Sequence, residues 1–146
     1  MEQTRKEQLS IYYYIKDLFP AFVNVKDEYP QDELVLPTIA IISDPTRNRP
    51  FELGGRDLPM RRWAIYVFAQ NSGQRDDYLE KIRYEIECNL LVYDYDEGFP
   101  PTVSPSQIGS LQSDDIQSSP IRVYQELVKK KYWSGSVTFV TYFNPI

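Results

Sequence analysis

The sequence predicts an α+β fold: a mostly antiparallel β-sheet flanked by helices on one face, with long polar loops. Three observations predict it. Residues 61–70 alternate large apolar side chains at period two, which is the mark of a strand. Residues 4–19 and 74–92 carry apolar side chains at helical spacing. Residues 93–120 are crowded with Pro, Ser, Gly and Asp, which favour turns and irregular chain. The order helix, strands, helix, strands gives helices collected on a sheet rather than alternating with its strands.

Residues 4–19 read as the first helix, with Thr4 as N-cap, Glu7 as its capping-box partner and Pro20 as the stop. Leu9, Tyr12, Tyr13 and Phe19 fall on one side; Ile11, Tyr14, Ile15 and Leu18 fall on the other. A surface helix has one apolar stripe, so two stripes mean either burial on both sides within the monomer or a neighbouring subunit on the second side; a terminal helix is rarely sandwiched in a fold of this size, which favours the neighbour. Residues 34–43 read as a strand with Pro37 near its start or at an edge. Asp44-Pro45 opens a polar loop holding Arg47 and Arg49. Phe51 to Leu53 is a short extended piece, and Gly54-Gly55 supplies positive φ for a sharp reversal before Arg56.

In the strand 61–70, Trp63, Ile65, Val67 and Ala69 point one way, and Arg62, Ala64, Tyr66, Phe68 and Gln70 the other. Both faces are partly apolar, so both are partly covered. Asn71-Ser72-Gly73 turns the chain into the second helix, 74–92, where Asp76 and Asp77 in the first turn suit the positive helix end. Leu79, Ile82, Ile86 and Leu90 make its core stripe; Tyr84, Cys88 and Leu91 make a weaker one opposite. Within the loop-like remainder, Ile108 to Leu111, Ile116 and Ile121 to Leu127 offer short strands. Residues 131–143 close the chain as a strand.

A chain of 146 residues with no internal repeat or linker reads as one domain, 1–146. Its aromatic content is dominated by 12 Tyr, a side chain that tolerates water in one state and cover in another. The net charge of -5 argues against a dedicated nucleic-acid binder and fits a wall that repels phosphate. The single cysteine cannot form an internal disulfide, and no stretch has the apolar length of a leader or a spanning helix. A soluble chain made in a cytoplasm, with no membrane partner, is therefore expected.

Catalytic patterns are missing from the sequence. There is no His, which removes the usual general base near neutral pH and the commonest transition-metal ligand. One Cys excludes a cysteine-based zinc site within the chain, and Cys88 has no evident activating partner. No phosphate-binding Gly-Lys-Ser/Thr loop occurs. Asp94-x-Asp96-x-Gly98, with Glu97 alongside, is half a calcium loop; Pro100 and Pro101 stand where the remaining ligands would follow. The pairs Asp76-Asp77 and Asp114-Asp115 converge poorly as metal carboxylates; capping and a polar turn explain them. Lys129-Lys130-Lys131 reads as a solvated strand end. No cofactor, metal or catalytic residue is expected.

Several stretches taken in order resemble the tail terminator, or tail completion, proteins of tailed bacteriophages. They are Glu52-Leu-Gly-Gly-Arg56, the strand Arg61 to Gln70, Gln74-Arg-Asp-Asp-Tyr-Leu79 with its helix, Tyr93-Asp-Tyr-Asp-Glu-Gly-Phe-Pro-Pro101, Ser104-Pro-Ser-Gln-Ile-Gly109 and Trp133 to Asn144. They run from roughly residue 38 to the end, and the leading helix adds to them. The resemblance implies a structural virion protein, assembled in the host cytoplasm and located at the head–tail junction. It implies a ring, a hexamer in that family, that caps the tail tube, ends its polymerisation and joins it to the head connector. Its partners would be itself, the tail tube protein and a head-completion or connector protein, with DNA passing through the lumen unbound.

On that reading Tyr12, Tyr14, Leu18, Tyr84, Cys88 and Leu91 are the candidate subunit-interface residues. Asp94, Asp96 and Glu97 are candidates for a loop facing the lumen or the tube, and Arg47, Arg49 and Arg56 for contacts to acidic partner loops. The alternatives are another neck component, such as a head-completion or stopper protein, a metal-dependent enzyme using carboxylates, and a regulatory binding module.

Overall fold

The computed structural model describes residues 2–30, 35–44, 60–88, 90–96, 100, 104–121 and 133–146; for Asp44, Pro120 and Ile121 it describes the backbone alone. In chain order these hold α1 (Gln3–Leu18), β1 (Asn24–Lys26), β2 (Thr38–Asp44), β3 (Met60–Ala69), α2 (Ser72–Ile86), β4 (Leu90–Tyr93), β5 (Gln107–Ile121) and β6 (Trp133–Pro145). The strands form a 6-stranded sheet in the order β1-β2-β3-β6-β5-β4. β1 runs parallel to β2, and the other neighbouring pairs are antiparallel. The fold is α+β, as the sequence predicts.

The alternation in β3 sets the core. Trp63 lies opposite Ser43 and Phe139, Ile65 opposite Ile41 and Val137, and Val67 opposite Ile39 and Gly135. Directly opposed residues share a sheet face. Leu111 of β5 stands opposite Leu90 of β4, and with Val92 they complete the apolar layer. Both helices pack on this layer, α1 through Ile11 and Ile15 and α2 through Leu79, Ile82 and Ile86. Each such fully buried side chain contributes about 1.5–3 kcal/mol. The indole N–H of Trp63 donates to Thr141 Oγ1 at 2.8 Å, so the largest core side chain is also satisfied as a polar group.

The sheet is curled, and α1 lies between its two ends. It packs against β1 and β2 on one side and against β4 on the other. Polar groups stitch both sides. Gln8 Nε2 donates to the carbonyls of Asp27 (2.7 Å) and Ile41 (3.1 Å), while the Tyr93 amide donates to Ser10 Oγ (3.1 Å). This gives the two apolar stripes of α1 an internal cause. Leu9, Ile11 and Ile15 are fully buried, and Tyr12, Tyr14 and Leu18 are half-buried against the same core.

Several boundaries differ from the sequence reading. The N-cap of α1 is Glu2, without a side-chain capping bond, and Thr4 lies inside the helix. Glu7 does not close a capping box; it reaches Arg61 on β3. α2 begins at Ser72, capped by Asn71, whose side chain accepts the Gln74 amide at 2.8 Å. Asp76 and Asp77 therefore sit beyond its first turn. α2 ends at Ile86, and Leu90, which continues the helical spacing, enters the core from a strand instead. The stretch read as loop with short strands contains the long strand β5, which bends at a bulge between Asp114 and Gln117, where Asp115 has φ 51. β1 has no counterpart in the sequence reading. Gly54-Gly55, the 51–53 piece and Lys129 to Lys131 lie outside the described residues.

Candidate interaction surface

The expected subunit-interface residues separate into a covered set and an exposed set. In α1, Tyr14 O–H donates to Glu85 Oε2 of α2 at 2.7 Å. Burial, and then this carboxylate, push the Tyr14 hydroxyl up to about 12. Tyr12 lies edge-on to Tyr13, with ring centroids 5.6 Å apart, and beneath the Lys16 ammonium. Tyr12, Tyr14 and Leu18 thus spend most of their apolar area inside the chain.

Around the end of α2 the opposite holds. Tyr84 is 68% exposed and Leu91 42% exposed, and Cys88 is also exposed. These three are not a helical stripe: Tyr84 is on α2, Cys88 is in the turn after it and Leu91 is on β4. The Cys88 thiol lies 4.0 Å from the Tyr84 carbonyl oxygen, which ties the turn to the helix end. Leu91 alternates with Leu90 and Val92, both buried, so it faces away from the helices.

A second exposed apolar group surrounds β1, at the other end of the strand order. Phe22, Tyr29 and Val35 are 63%, 52% and 62% exposed. The Asn24 amide donates to the Pro37 carbonyl, and Asn24 Nδ2 reaches the Val35 carbonyl. These bonds hold the Phe22 and Val35 segments side by side. The Tyr29 ring packs edge-on against Tyr66 and Phe68, centroids 5.4 and 5.8 Å away, on the sheet face opposite the helices. Sequence reasoning missed this group. Its signal was Phe22 and Tyr29, large apolar residues in the stretch after Pro20 that the sequence reading assigned to no element, while Val35 was taken into the strand 34–43. Trp133 is also exposed, with the Arg75 guanidinium over its ring.

The acidic loop after β4 is tethered. Lys6 Nζ lies 3.2 Å from Asp94 Oδ1 and 2.9 Å from Asp96 Oδ2, and the Asp96 carboxylate raises the Lys6 ammonium above its usual range. Asp94 Oδ1 also accepts the Asp96 amide, an Asx-type turn. Tyr95 between them is buried, its ring stacked on Tyr13. Glu97 lies outside the described residues, as do Arg47, Arg49 and Arg56.

A second, buried ion pair anchors α1. Glu7 is 1% exposed, and Arg61 Nε donates to its Oε2 at 2.9 Å. Burial raises the Glu7 carboxyl above its ordinary value, and the Arg61 charge and the Gln3 side chain pull against that. Among the described residues, no group of three or more His, Cys, Asp or Glu is placed to hold a metal ion, and no helix is long and apolar enough to cross a membrane. Compared with models of known protein families and with curated proteins, the sequence matches none.

Proposed function

We propose that this protein is a structural ring subunit of the tail terminator type, closing the end of a phage tail tube by association of identical copies. The reading rests on the order of resembling stretches in the sequence. The observation that carries it is the pairing of a filled core with large apolar side chains left outside it. Tyr84 and Leu91 remain 68% and 42% exposed although the face behind them is closed by Ile82, Ile86, Leu90 and Val92. Side chains of this kind, wet in the lone chain, suit a surface covered on assembly.

The mechanism is one of geometry. Contacts between unlike patches on successive copies close into a ring when the rotation between copies divides a full turn. A closed ring seated on the last tube layer leaves no site for another layer, and so stops growth. DNA then passes through a lumen whose acidic or self-paired side chains do not retain it.

The test is to mix the purified protein with growing tail tubes and follow their length by electron microscopy. Tubes that stop growing and carry one extra ring at one end support the reading. Tubes of unchanged length without a bound ring contradict it. Rings that bind only isolated head connectors would assign the protein to another part of the neck.

A further inference from the structure

Side chains from the first half of α1 end on backbone groups at both margins of the sheet. β1 accompanies β2 only from Thr38 to Ala40, and among the described residues no strand lies on that side of β2 from Ile41 on. There Gln8 takes over. Its Nε2 donates to the carbonyls of Asp27 (2.7 Å) and Ile41 (3.1 Å), the two residues that follow the last β1–β2 pair, Lys26 and Ala40. Arg5 fixes the amide for this task, with Nη1 on Gln8 Oε1 (2.9 Å) and Nη2 on the Asp27 carboxylate (2.6 Å). At the other margin β4 is the last strand. The Asp94 amide donates to the Ser106 carbonyl, in the segment leading into β5, while the Tyr93 amide donates to Ser10 Oγ on α1 (3.1 Å). The Ser10 hydroxyl gives its own proton to the Lys6 carbonyl (2.7 Å), which leaves its oxygen to accept from Tyr93.

We propose that Gln8 and Ser10 are edge guards: they occupy backbone groups at which a strand of another copy would otherwise add to the folded sheet. Main-chain groups on an open edge are a template for pairing, and a side chain that already fills them removes the template. The other margins are closed by different means. β1 is only 3 residues long. The part of β5 beyond Leu111 has no β4 residue beside it, and there it carries the bulge, the acidic pair Asp114-Asp115 and Pro120. Short strands, bulges, charges and proline all discourage strand pairing. Ile41-Ile42-Ser43 of β2 and Leu90-Leu-Val-Tyr93 of β4 have neither charge nor proline, and they are rich in residues that favour strands. Their protection falls to the two side chains of α1.

The experiment removes the guards with Gln8→Met and Ser10→Ala, singly and together. Tyr14→Phe and Ile82→Val serve as controls that loosen the same fold without touching an edge. Far-UV circular dichroism and urea midpoints first establish which variants fold, and the single variants carry the comparison if the double variant does not. Light scattering and thioflavin fluorescence then follow the folded samples. The unguarded variants are expected to grow in mass without limit and to bind thioflavin. The controls are expected to keep the wild-type mass at a similar loss of stability. Amide hydrogen exchange adds a local readout: the Tyr93 amide is expected to be protected in wild type, and Ser10→Ala to speed its exchange about tenfold. Folded, unguarded variants that keep the wild-type mass overturn the proposal. So do controls that grow as the unguarded variants do, because lost stability would then be the cause. A Tyr93 amide that exchanges freely in wild type overturns it as well. A closed ring has a fixed mass, so unlimited growth through strands is distinct from ring assembly, and each of these outcomes leaves the ring reading standing.

Discussion

Replacing Arg61 with leucine removes the cationic partner that, among the described residues, the structure gives to the Glu7 carboxylate. Glu7 is 1% exposed, and Arg61 Nε is 2.9 Å from it. Burial raises the Glu7 pKa above 4.5 while Arg61 holds it down, and burial is the larger effect. Without Arg61 the largest effect opposing burial is gone, so the folded-state value climbs further. A raised folded-state value means that the native chain binds more protons than the unfolded chain between the two pKa values. Stability therefore falls as pH rises through that window. Below the window both states hold the proton and Arg61→Leu costs little through this group. At about pH 7 it leaves an unpaired buried charge, for which the loss is about 3–5 kcal/mol.

Glu7→Gln carries no charge at any pH. In the Arg61→Leu background it is expected to restore most of the neutral-pH loss and to flatten the pH dependence. Urea unfolding at about pH 4 and about pH 7, for wild type, both single variants and the double variant, reads this directly. Equal losses for Arg61→Leu at both pH values would refute the reasoning. So would a double variant as unstable at neutral pH as Arg61→Leu alone.

Four further outcomes are expected. Tyr14→Phe removes the bond to Glu85 and costs about 1–2 kcal/mol in urea unfolding at neutral pH. Because the folded Tyr14 hydroxyl titrates near 12 against 10.0 ordinarily, wild type loses stability as pH rises through that interval, and Tyr14→Phe is expected to lack that part of the loss. Gly109→Ala would bring a Cβ to 2.5 Å from the Asn144 carbonyl oxygen, a backbone atom that cannot swing aside, and is expected to cost about 3 kcal/mol or more. Gly135→Ala would meet Leu79 Cδ1 at 2.6 Å; its cost of about 1–3 kcal/mol is expected to shrink in a Leu79→Ala background, which a double-mutant cycle measures.

What the sequence disclosed follows physical lines. The register-setting residues of β3 were legible because Trp63, Ile65, Val67 and Ala69 alternate without interruption, and burial on one face demands that period. The core stripe of α2 was legible through Ile86 for the same reason. Its end was not, because Leu90 continues the helical spacing and no glycine or proline intervenes. Pairing of Leu90 with Leu111 decides that stretch; Ile108 to Leu111 was legible as a short strand, but which residues lie beside it is a long-range fact that no local period carries. β5 was hidden by Ser, Asp, Gln and Pro. Its backbone is held by β6 while most of its side chains face water. Glu7 was misread because a capping box is a local pattern, and its partner Arg61 comes from a distant strand.

The candidate site was half legible. Tyr84, Cys88 and Leu91 were singled out as a second stripe, and they are exposed, although three different elements carry them. Tyr12, Tyr14 and Leu18 were singled out by the same logic, and the curled sheet covers much of them. A helix enclosed from two sides and a helix shared with a neighbour leave the same mark on a sequence. The acids Asp94 and Asp96 were visible as charges, but the lysine that ties them down comes from the far end of the chain.

Negative-stain images of the purified 17.2 kDa chain, alone and with tail tubes, test the central claim most directly. Rings with an open centre, free or seated on one end of each tube, are the expected result. Single small particles in both samples, with tubes that keep growing, would contradict it.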